Sequence, residues 1–316
     1  MKVVIIGKVS ETTKPLIKGQ FPGDWEVAIV TPEEAGMVLR DAEVVIPEHV
    51  IIDGPFLDRA KRLKLVQTGA GYDNVVIEEC IQRGVHVANA AGINAVAVAE
   101  HVLSFVLCWY KNISYLDRAM KRGDYGVDYT GSELSGKVMG IIGLGNIGME
   151  VARFAKAFRM RVLGYDIRAI QDDVGFEQVE FSTILQQADV ISLHIFLNDR
   201  TRHMISRKEL AMMRKDAFLI NTSRGPIIDE PALIEALRSK QIGGAGLDVF
   251  ETEPLPEDSP LRKLDNVLLT PHTAGMPDGL KFHRKRYQFF VENIRRVSEG
   301  KAPINALNRF RTSETK

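Results

Sequence analysis

The sequence predicts an α/β protein built from two doubly wound parallel-sheet domains. Its 316 residues exceed what one hydrophobic core usually spans, so two domains are expected. Short runs rich in β-branched residues alternate with helical patterns in two separate series. Such alternation is typical of parallel sheets covered by helices on both faces. A stretch with glycines at 123, 126, 131 and 136 separates the two series.

The first series lies within about the first 90 residues. Its predicted strands are Val3–Ile6, Glu26–Val30, Glu43–Ile46, Leu63–Gln67 and Val85–Ala88. Helical patterns are predicted at Glu33–Arg40, Phe56–Lys61 and Val75–Gln82, and a long one follows from roughly Ala95 to Lys121.

The second series begins after the glycine-rich stretch. Its predicted strands are Val138–Ile142, Val162–Tyr165, Val190–Ile195, Phe218–Asn221, Gly246–Val249 and Val267–Leu269. Six strands match a doubly wound dinucleotide-binding sheet. A last helical pattern, Leu280 to Ser298, comes late enough in the chain to return to the first domain.

Composition argues against several classes of partner. Lysine plus arginine equals aspartate plus glutamate, which gives no reason to expect a nucleic acid or a membrane. A basic cluster from Lys281 to Arg286 is interpreted as the solvated face of the last helix. The apolar stretch Ala95 to Tyr110 carries Glu100 and His101 and is too short to span a bilayer.

The two cysteines predict a reducing environment. Cys80 and Cys108 each lie in an apolar, helix-like stretch, and the sequence contains no CxxC motif. Two reduced thiols fit a cytoplasmic protein. No metal site is expected.

The strongest local motif is the glycine-rich loop Gly143-Leu144-Gly145-Asn146-Ile147-Gly148, which a strand precedes and a helical pattern follows. Gly143 would permit the tight turn, Gly145 the approach of a pyrophosphate, and Gly148 close packing of helix on strand. The helix N-terminus offers free N–H groups to phosphate. The loop, including Asn146 and Ile147, is therefore assigned to a dinucleotide, the alternative being a glycine turn that binds nothing.

An acidic residue at the end of the next strand predicts which dinucleotide binds. Asp166 follows the strand that ends at Tyr165. A carboxylate at this point bonds the ribose hydroxyls and repels a 2′-phosphate, so NAD is the expected cofactor. Arg168 is close enough in sequence to weaken that preference.

Reactive side chains come at or just after the ends of three successive strands. The segments are NTSRG (221–225), GLDVFETEP (246–254) and LTPHTAG (269–275). In open α/β sheets, ligands bind at the carboxyl ends of the strands. One such residue would be an ordinary loop residue, but three of them beyond a dinucleotide loop predict Arg224, Glu253 and His272 as catalytic residues.

These residue types suit the reduction of a 2-keto acid. Hydride transfer leaves negative charge on the carbonyl oxygen, and His272 would protonate that oxygen near neutral pH. Glu253 would bond the other ring nitrogen and favour the imidazolium. Arg224 would hold the substrate carboxylate with a two-pronged guanidinium that lysine cannot match. The nicotinamide would supply the hydride.

Taken together, these motifs resemble the D-2-hydroxyacid dehydrogenase family over nearly the whole chain. The resemblance rests on GLGNIG with Asp166, NTSRGPIIDEPALIEAL, GLDVFETEPLPEDSPL, LLTPHTAG, LVQTGAGYDNV and AVAEH. It implies a Rossmann NAD-binding domain, residues 96–276, inserted in a flavodoxin-like substrate-binding domain, residues 1–95 plus 277–316. It also implies the Arg–Glu–His triad and a homodimer.

The resemblance implies further site residues. Backbone N–H groups of the turn Gly69-Ala70-Gly71 would bind the substrate carboxylate, and Asn94 would lie near the substrate. For the coenzyme, Asp248 would contact the nicotinamide carboxamide, and His194 and Thr222 would line the cleft. Alternatives stay open: Asn94 would merely cap the helix that follows, and His194 would merely pack at a strand end.

Two segments depart from the family pattern. After His194 the family often has a Leu-Pro-Leu-Thr-like run, whereas this chain has Ile-Phe-Leu-Asn up to Asn198, which would reshape the adenine side of the cleft. Phosphoglycerate dehydrogenases often place an arginine in the loop after the third strand. Here Glu48 would repel a phosphate and leaves His49 as the candidate cation.

Three functions are therefore considered. The first is an NAD-dependent D-2-hydroxyacid dehydrogenase or 2-keto acid reductase acting on glyoxylate, hydroxypyruvate, pyruvate or a longer keto acid. The second is a D-3-phosphoglycerate dehydrogenase, against which Glu48 argues. The third is a non-enzymatic NAD sensor, similar to corepressors that resemble this family, although nothing suggests nuclear targeting or a long disordered tail. Turnover on a substrate panel separates them.

Overall fold

The computed structural model describes residues 1–48, 50–126, 131–171, 173–276 and 280–308. The strands are β1 (Lys2–Ile6), β2 (Glu26–Val30), β3 (Val44–Pro47), β4 (Leu65–Gln67), β5 (His86–Ala88), β6 (Val138–Ile142), β7 (Arg161–Tyr165), β8 (Glu177–Gln178), β9 (Val190–Leu193), β10 (Phe218–Asn221), β11 (Gly244–Leu247) and β12 (Val267–Leu269). The α-helices are α1 (Lys14–Lys18), α2 (Gly54–Arg59), α3 (Ile77–Gln82), α4 (Ala95–Tyr110), α5 (Ile113–Lys121), α6 (Asn146–Ala157), α7 (Phe181–Gln187), α8 (Arg207–Met212), α9 (Glu230–Arg238) and α10 (Leu280–Ser298).

The chain forms two compact units, Met1–Ile93 with Asp278–Lys316, and Asn94–Pro277. The first unit holds a parallel sheet in the order β2-β1-β3-β4-β5, the flavodoxin-like order. Alternate strand residues face opposite sides, so Val4 and Ile6 join one core and Val3 and Ile5 the other. Helix α10 covers the second side with Tyr287, Phe290 and Ile294.

The second unit holds a parallel sheet in the order β12-β11-β10-β9-β6-β7-β8. Because chain order reverses where β6 lies beside β9, a crevice is expected outside the carboxyl ends of those strands. Hydrophobic clusters cover both faces of the sheet. The predicted fold class of two doubly wound parallel sheets is confirmed. No helix in the described ranges is long and apolar enough to cross a membrane.

Several predicted elements were wrong in detail. The predicted helix Glu33–Arg40 is a single 3₁₀ turn, Ala35–Met37, since Gly36 lies in the middle of that short segment. The predicted helix Ala95 to Lys121 is two helices, because Asn112 takes a left-handed conformation (φ 53°) between them. The second sheet gains the short strand β8, whose exposed residues carry no apolar pattern.

The basic cluster of α10 is not a uniformly solvated face. Arg284 and Lys285 are exposed as predicted, but Arg286 points inward, its side chain 12% exposed. Its guanidinium bonds Glu48 and lies 5.2 Å from the ring centre of Phe290. Helical spacing explains the difference, because residues four apart, such as Arg286 and Phe290, share one face.

Candidate active site

Three neighbouring strands of the second unit bring the predicted catalytic segments together. Strand β10 pairs with β11, and β11 pairs with β12, all in parallel. The loops that leave their carboxyl ends carry Arg224, then Glu253, then His272. The sheet order therefore explains how residues far apart in sequence reach one edge.

His272 and Glu253 form a hydrogen-bonded pair. Nδ1 of His272 lies 2.7 Å from Oε2 of Glu253, while Oε1 accepts from the Phe250 N–H at 3.1 Å. Burial alone would raise the pKa of Glu253. The hydrogen bonds from His272 and Phe250 and the charges of His272 and Arg224 outweigh it and hold the pKa below its usual value. The carboxylate is thus ionised and fixes the ring, leaving Nε2 for a substrate.

Asp248 organises the loop that carries His272. Its side chain is 1% exposed, and Oδ1 accepts from the Thr270 hydroxyl at 2.6 Å and from the Thr273 N–H at 2.9 Å. Oδ2 accepts from the Ala274 N–H at 2.9 Å. These bonds bracket His272, whose left-handed φ of 55° costs about 1 kcal/mol in a non-glycine residue. The surrounding hydrogen bonds maintain that conformation.

The turn before Arg224 is shaped by a buried asparagine that the sequence analysis did not single out. The Asn221 amide donates to the Arg224 carbonyl at 2.8 Å, and its oxygen accepts from the Ser223 N–H and hydroxyl. Arg224 Nη1 donates to the Ser223 carbonyl at 2.7 Å. Asn221 stands first in NTSRG and is the last residue of the buried strand β10, so a polar side chain at this strand end was the available signal.

The loops that carry Arg224 and Glu253 touch backbone to backbone. A β-carbon on Gly225 would overlap the Phe250 carbonyl, so only glycine fits here. Two side chains from other segments also contact the loop that carries Glu253: Glu230, the first residue of α9, accepts from the Glu251 N–H at 3.0 Å, and Nε2 of His203, which lies between β9 and α8, is 3.0 Å from the Glu251 carboxylate. His203 and Glu251 are further residues that the sequence analysis missed, since no motif links them.

The glycine loop has the geometry that a pyrophosphate requires. Gly143 takes φ 97°, and a β-carbon there would overlap the His194 carbonyl oxygen. A β-carbon on Gly148 would overlap the Gly143 carbonyl oxygen, so α6 packs closely on the loop. In contrast, no atom of the described residues lies within 4 Å of a β-carbon built on Gly145, the N-cap of α6. The N–H groups of Asn146 and Ile147, in the first turn of α6, have no acceptor within the helix and are of the kind that binds phosphate.

Asp166 lies at the end of β7 with both carboxylate oxygens occupied. It accepts from the Leu144 N–H at 3.0 Å and from the Arg168 N–H and guanidinium at 3.0 and 3.1 Å. Burial alone would raise its pKa, but these bonds and the Arg168 charge hold the pKa below its usual value. A ribose would thus compete with Arg168, which is 66% exposed, for this carboxylate.

Three predicted ligand residues keep a buried polar atom without a hydrogen-bond partner among the described residues: Asn94 Oδ1, His194 Nδ1 and Thr222 Oγ1. Such atoms are costly unless a ligand or water satisfies them. His194 Nε2 bonds Ser192, and burial lowers the pKa of His194 to about 3, so its ring is neutral. The capping alternative for Asn94 is wrong, because its side chain makes no cap hydrogen bond. These orphaned atoms fit a bound dinucleotide and substrate.

The remaining predicted residues lie in the first unit, after β4. Within the described ranges, the N–H groups of Ala70 and Gly71 have no backbone acceptor.

Glu48 forms an ion pair with Arg286. Because this pair compensates its negative charge, Glu48 would oppose a phosphate less than the sequence alone suggested. His49 lies outside the described residues. No group of three or more His, Cys, Asp or Glu that the structure describes is arranged to hold a metal ion.

Comparison with known proteins assigns the chain to a family. Residues 103–274, more than half of the chain, match the family model for the NAD binding domain of D-isomer specific 2-hydroxyacid dehydrogenases. The chain is 36% identical to a glyoxylate reductase of Korarchaeum cryptofilum over 81% of this chain and 80% of that protein. It is 37% identical to a D-3-phosphoglycerate dehydrogenase of Methanocaldococcus jannaschii over 90% of this chain, but spans 56% of that longer protein.

A solved structure agrees with these sequence matches. The D-lactate dehydrogenase of Aquifex aeolicus, solved with NAD and lactic acid, superposes with a TM-score of 0.86 at 28% identity. The match covers 94% of this chain and 96% of that one. The chain belongs to the NAD-dependent D-2-hydroxyacid dehydrogenase family of oxidoreductases.

Proposed function

We propose that this protein reduces a small, unphosphorylated 2-keto acid to the D-2-hydroxy acid and catalyses the reverse oxidation. The observation that carries the proposal is the hydrogen bond of 2.7 Å between His272 Nδ1 and the ionised carboxylate of Glu253. These two residues follow β12 and β11, and Arg224 follows the neighbouring strand β10. A proton donor and a carboxylate-binding cation are the two groups that this chemistry needs from the protein.

Each member of the triad has one role. His272 donates its proton from Nε2 to the carbonyl oxygen, while Glu253 fixes the tautomer through Nδ1 and stabilises the imidazolium. Arg224 binds the substrate carboxylate with two parallel N–H bonds and so orients the carbonyl. In the oxidation direction His272 accepts the proton.

The glycine loop and nearby strand ends hold the cofactor, which supplies or accepts a hydride when bound. The N–H groups of the loop, including Asn146 and Ile147, bind the pyrophosphate, and Asp166 bonds the ribose. His194 and Thr222 contact the dinucleotide, and their orphaned atoms support this assignment. Asp248 would contact the nicotinamide carboxamide, which would have to share its two oxygens with the N–H groups of the His272 loop.

The unit formed by residues 1–93 and 278–316 is proposed to bind the substrate. The N–H groups of Ala70 and Gly71, which have no backbone acceptor among the described residues, would bind the substrate carboxylate. Asn94 would contact the substrate through Oδ1, which also has no partner in the described part of the chain. Anions bind readily to such free backbone N–H groups.

A D-3-phosphoglycerate dehydrogenase is the second candidate. The Methanocaldococcus jannaschii relative carries that name, and the ion pair of Glu48 with Arg286 removes the charge that would have opposed a phosphate. The third candidate, a non-enzymatic NAD sensor, would retain the same triad, so turnover separates it from the other two.

NADH oxidation, followed by absorbance, tests the three candidates. The panel contains glyoxylate, hydroxypyruvate, pyruvate, phenylpyruvate and phosphohydroxypyruvate, with NADPH in parallel. We expect turnover of at least one unphosphorylated keto acid, and His272→Ala should lower it about 100-fold or more while NADH still binds. Preference for phosphohydroxypyruvate would favour the second candidate. NADH binding without turnover of any compound would favour the sensor.

A cytoplasmic homodimer is also proposed. Free Cys80 and Cys108 fit a reducing compartment. Exposed apolar side chains on and beside α4 and α5, namely Val96, Ile113 and Met120, suit a protein–protein contact. Light scattering during size-exclusion chromatography should give twice the 35.2 kDa chain mass, and Met120→Glu should shift the protein toward the monomer. A wild-type monomer would contradict the homodimer.

A further inference from the structure

Helix α4 packs on strand β11 with matched spacing. A β-carbon on Gly244 would lie 2.5 Å from Trp109, and one on Gly246 would lie 2.9 Å from Phe105. The two glycines therefore let the helix approach the strand closely. Four residues of a helix advance about 6 Å along its axis and two residues of a strand advance about 7 Å, so contacts between α4 and β11 recur at matching positions. The next pair in this pattern is His101, four residues before Phe105, and Asp248, two residues after Gly246.

His101 is hydrogen-bonded at that end of the series. Its Nε2 lies 3.0 Å from the Thr270 hydroxyl and 3.8 Å from Asp248 Oδ1. Because the Thr270 hydroxyl donates its hydrogen to Asp248 at 2.6 Å, its oxygen accepts from the N–H at Nε2 of His101. The ring also makes an edge contact with Phe105, with centres 4.8 Å apart. The imidazole is thus held by both packing and a directed hydrogen bond.

The network leads to the loop of the catalytic histidine. Asp248 accepts the N–H groups of Thr273 and Ala274, and its own carbonyl accepts the His272 N–H at 2.8 Å. His101 is therefore one end of a hydrogen-bond network that runs through Thr270 and Asp248 to the residues next to His272. All residues of this network belong to the unit Asn94–Pro277.

We propose that His101 is a positioning residue for proton transfer, which acts through Thr270 and Asp248 to hold His272 in its left-handed conformation. This inference rests on the proposed function of His272 as the proton donor. Small displacements of a catalytic group cost large factors in rate, so the network should appear in kcat rather than in coenzyme binding. If His101 merely filled space, an apolar side chain of similar volume would serve as well.

His101→Leu and His101→Gln separate these two roles. The leucine removes the donor, whereas the glutamine amide keeps an N–H donor at similar reach. We expect His101→Leu to lower kcat about 10- to 100-fold, with the NADH dissociation constant within about threefold of wild type. His101→Gln should recover most of that loss. Hydrogen exchange measured by mass spectrometry should be faster for segment 269–276 in the leucine variant alone.

Two further variants control for packing and for coupling. Val106→Ala removes buried volume from the same helix at a position that does not share the face of His101, so it should lower Tm and leave kcat within about twofold. Thr270→Val removes the hydroxyl that links His101 to Asp248 and so interrupts the hydrogen-bond network. Adding His101→Leu to Thr270→Val should therefore lower kcat little further.

The inference fails if His101→Leu keeps the wild-type kcat, if His101→Gln is as impaired as His101→Leu, or if Val106→Ala lowers kcat as much as His101→Leu does. The inference would also be overturned if the fold-losses of kcat in Thr270→Val and His101→Leu multiplied in the double variant. A wild-type protein that turns over no keto acid would instead overturn the proposed function. The exchange rates of segment 269–276 still report on the network in that case.

Discussion

Nδ1 of His272 lies 2.7 Å from Oε2 of Glu253, although 18 residues separate the two in the chain and a different strand precedes each. The contact places an imidazole ring beside a carboxylate that itself accepts a hydrogen bond from the Phe250 N–H. The ring orientation is therefore determined by a carboxylate that the backbone holds in place. This relationship makes Glu253 a sensitive point for testing the mechanism.

Glu253→Gln should lower kcat about 100- to 1000-fold, because a neutral amide stabilises the imidazolium poorly. The depressed pKa of Glu253 also makes a prediction for stability. A carboxylate of depressed pKa stabilises the fold above its unfolded-state pKa, and this contribution disappears as pH falls through the folded-state pKa. The Tm difference between wild type and Glu253→Gln should therefore narrow from about pH 7 to about pH 3. A constant difference would contradict the ion pair.

Arg224→Lys should raise KM for the keto acid about 10- to 100-fold, since an ammonium cannot make two parallel bonds to a carboxylate. The NADH dissociation constant should not change. Steady-state kinetics and a fluorescence titration measure the two quantities. Arg214→Lys is the matched control, because that exposed arginine bonds Asp216 and should tolerate the change. Equal KM values for both variants would remove Arg224 from substrate binding.

Alanine at two glycines of the same loop should give opposite results. Gly143→Ala should lower Tm by several degrees, because its φ is 97° and its β-carbon would overlap His194. Gly145→Ala should keep Tm, since its φ of −80° suits any residue and the space around it is open. It should nevertheless weaken NADH binding about tenfold or more. Normal NADH binding by Gly145→Ala would place the pyrophosphate elsewhere.

Asp166→Ala should weaken NADH more than NADPH, because it removes the ribose acceptor and releases Arg168 for a 2′-phosphate. Arg168→Ala should have the opposite effect, since it leaves the carboxylate and removes the cation. Isothermal titration with each coenzyme gives the two ratios. An unchanged preference in both variants would show that this pair does not select the coenzyme.

The fold class and most of the strands could be predicted because their signals are local. Buried strands such as β6 are nearly continuous apolar runs in the sequence. In the first series, the ends of each predicted strand lie within two residues of the ends of the observed strand. The errors arose where a single residue decided the outcome, as with Asn112, whose left-handed backbone divides one helical pattern into two. Nothing in residue spacing reveals such a conformation.

Sequence motifs identified the proposed catalytic groups, but not the contacts that surround them. Arg224 and His272 stand in motifs at strand ends, where chemistry of their type is expected. The supporting contacts of His101 and His203 join segments far apart in sequence, so only packing brings them together. Similarly, Glu48 was weighed as an isolated charge, and its partner Arg286 lies 238 residues away in the chain.

The backbone contact between Gly225 and Phe250 has a consequence for anyone who wishes to change the substrate preference of this protein. Two loops that share a boundary without a side chain between them cannot be varied independently, because a shift in one displaces the other. A library that randomises positions around Arg224 alone would mostly sample misaligned sites. Productive variants should instead be found when residues 223–226 and 249–253 are varied together.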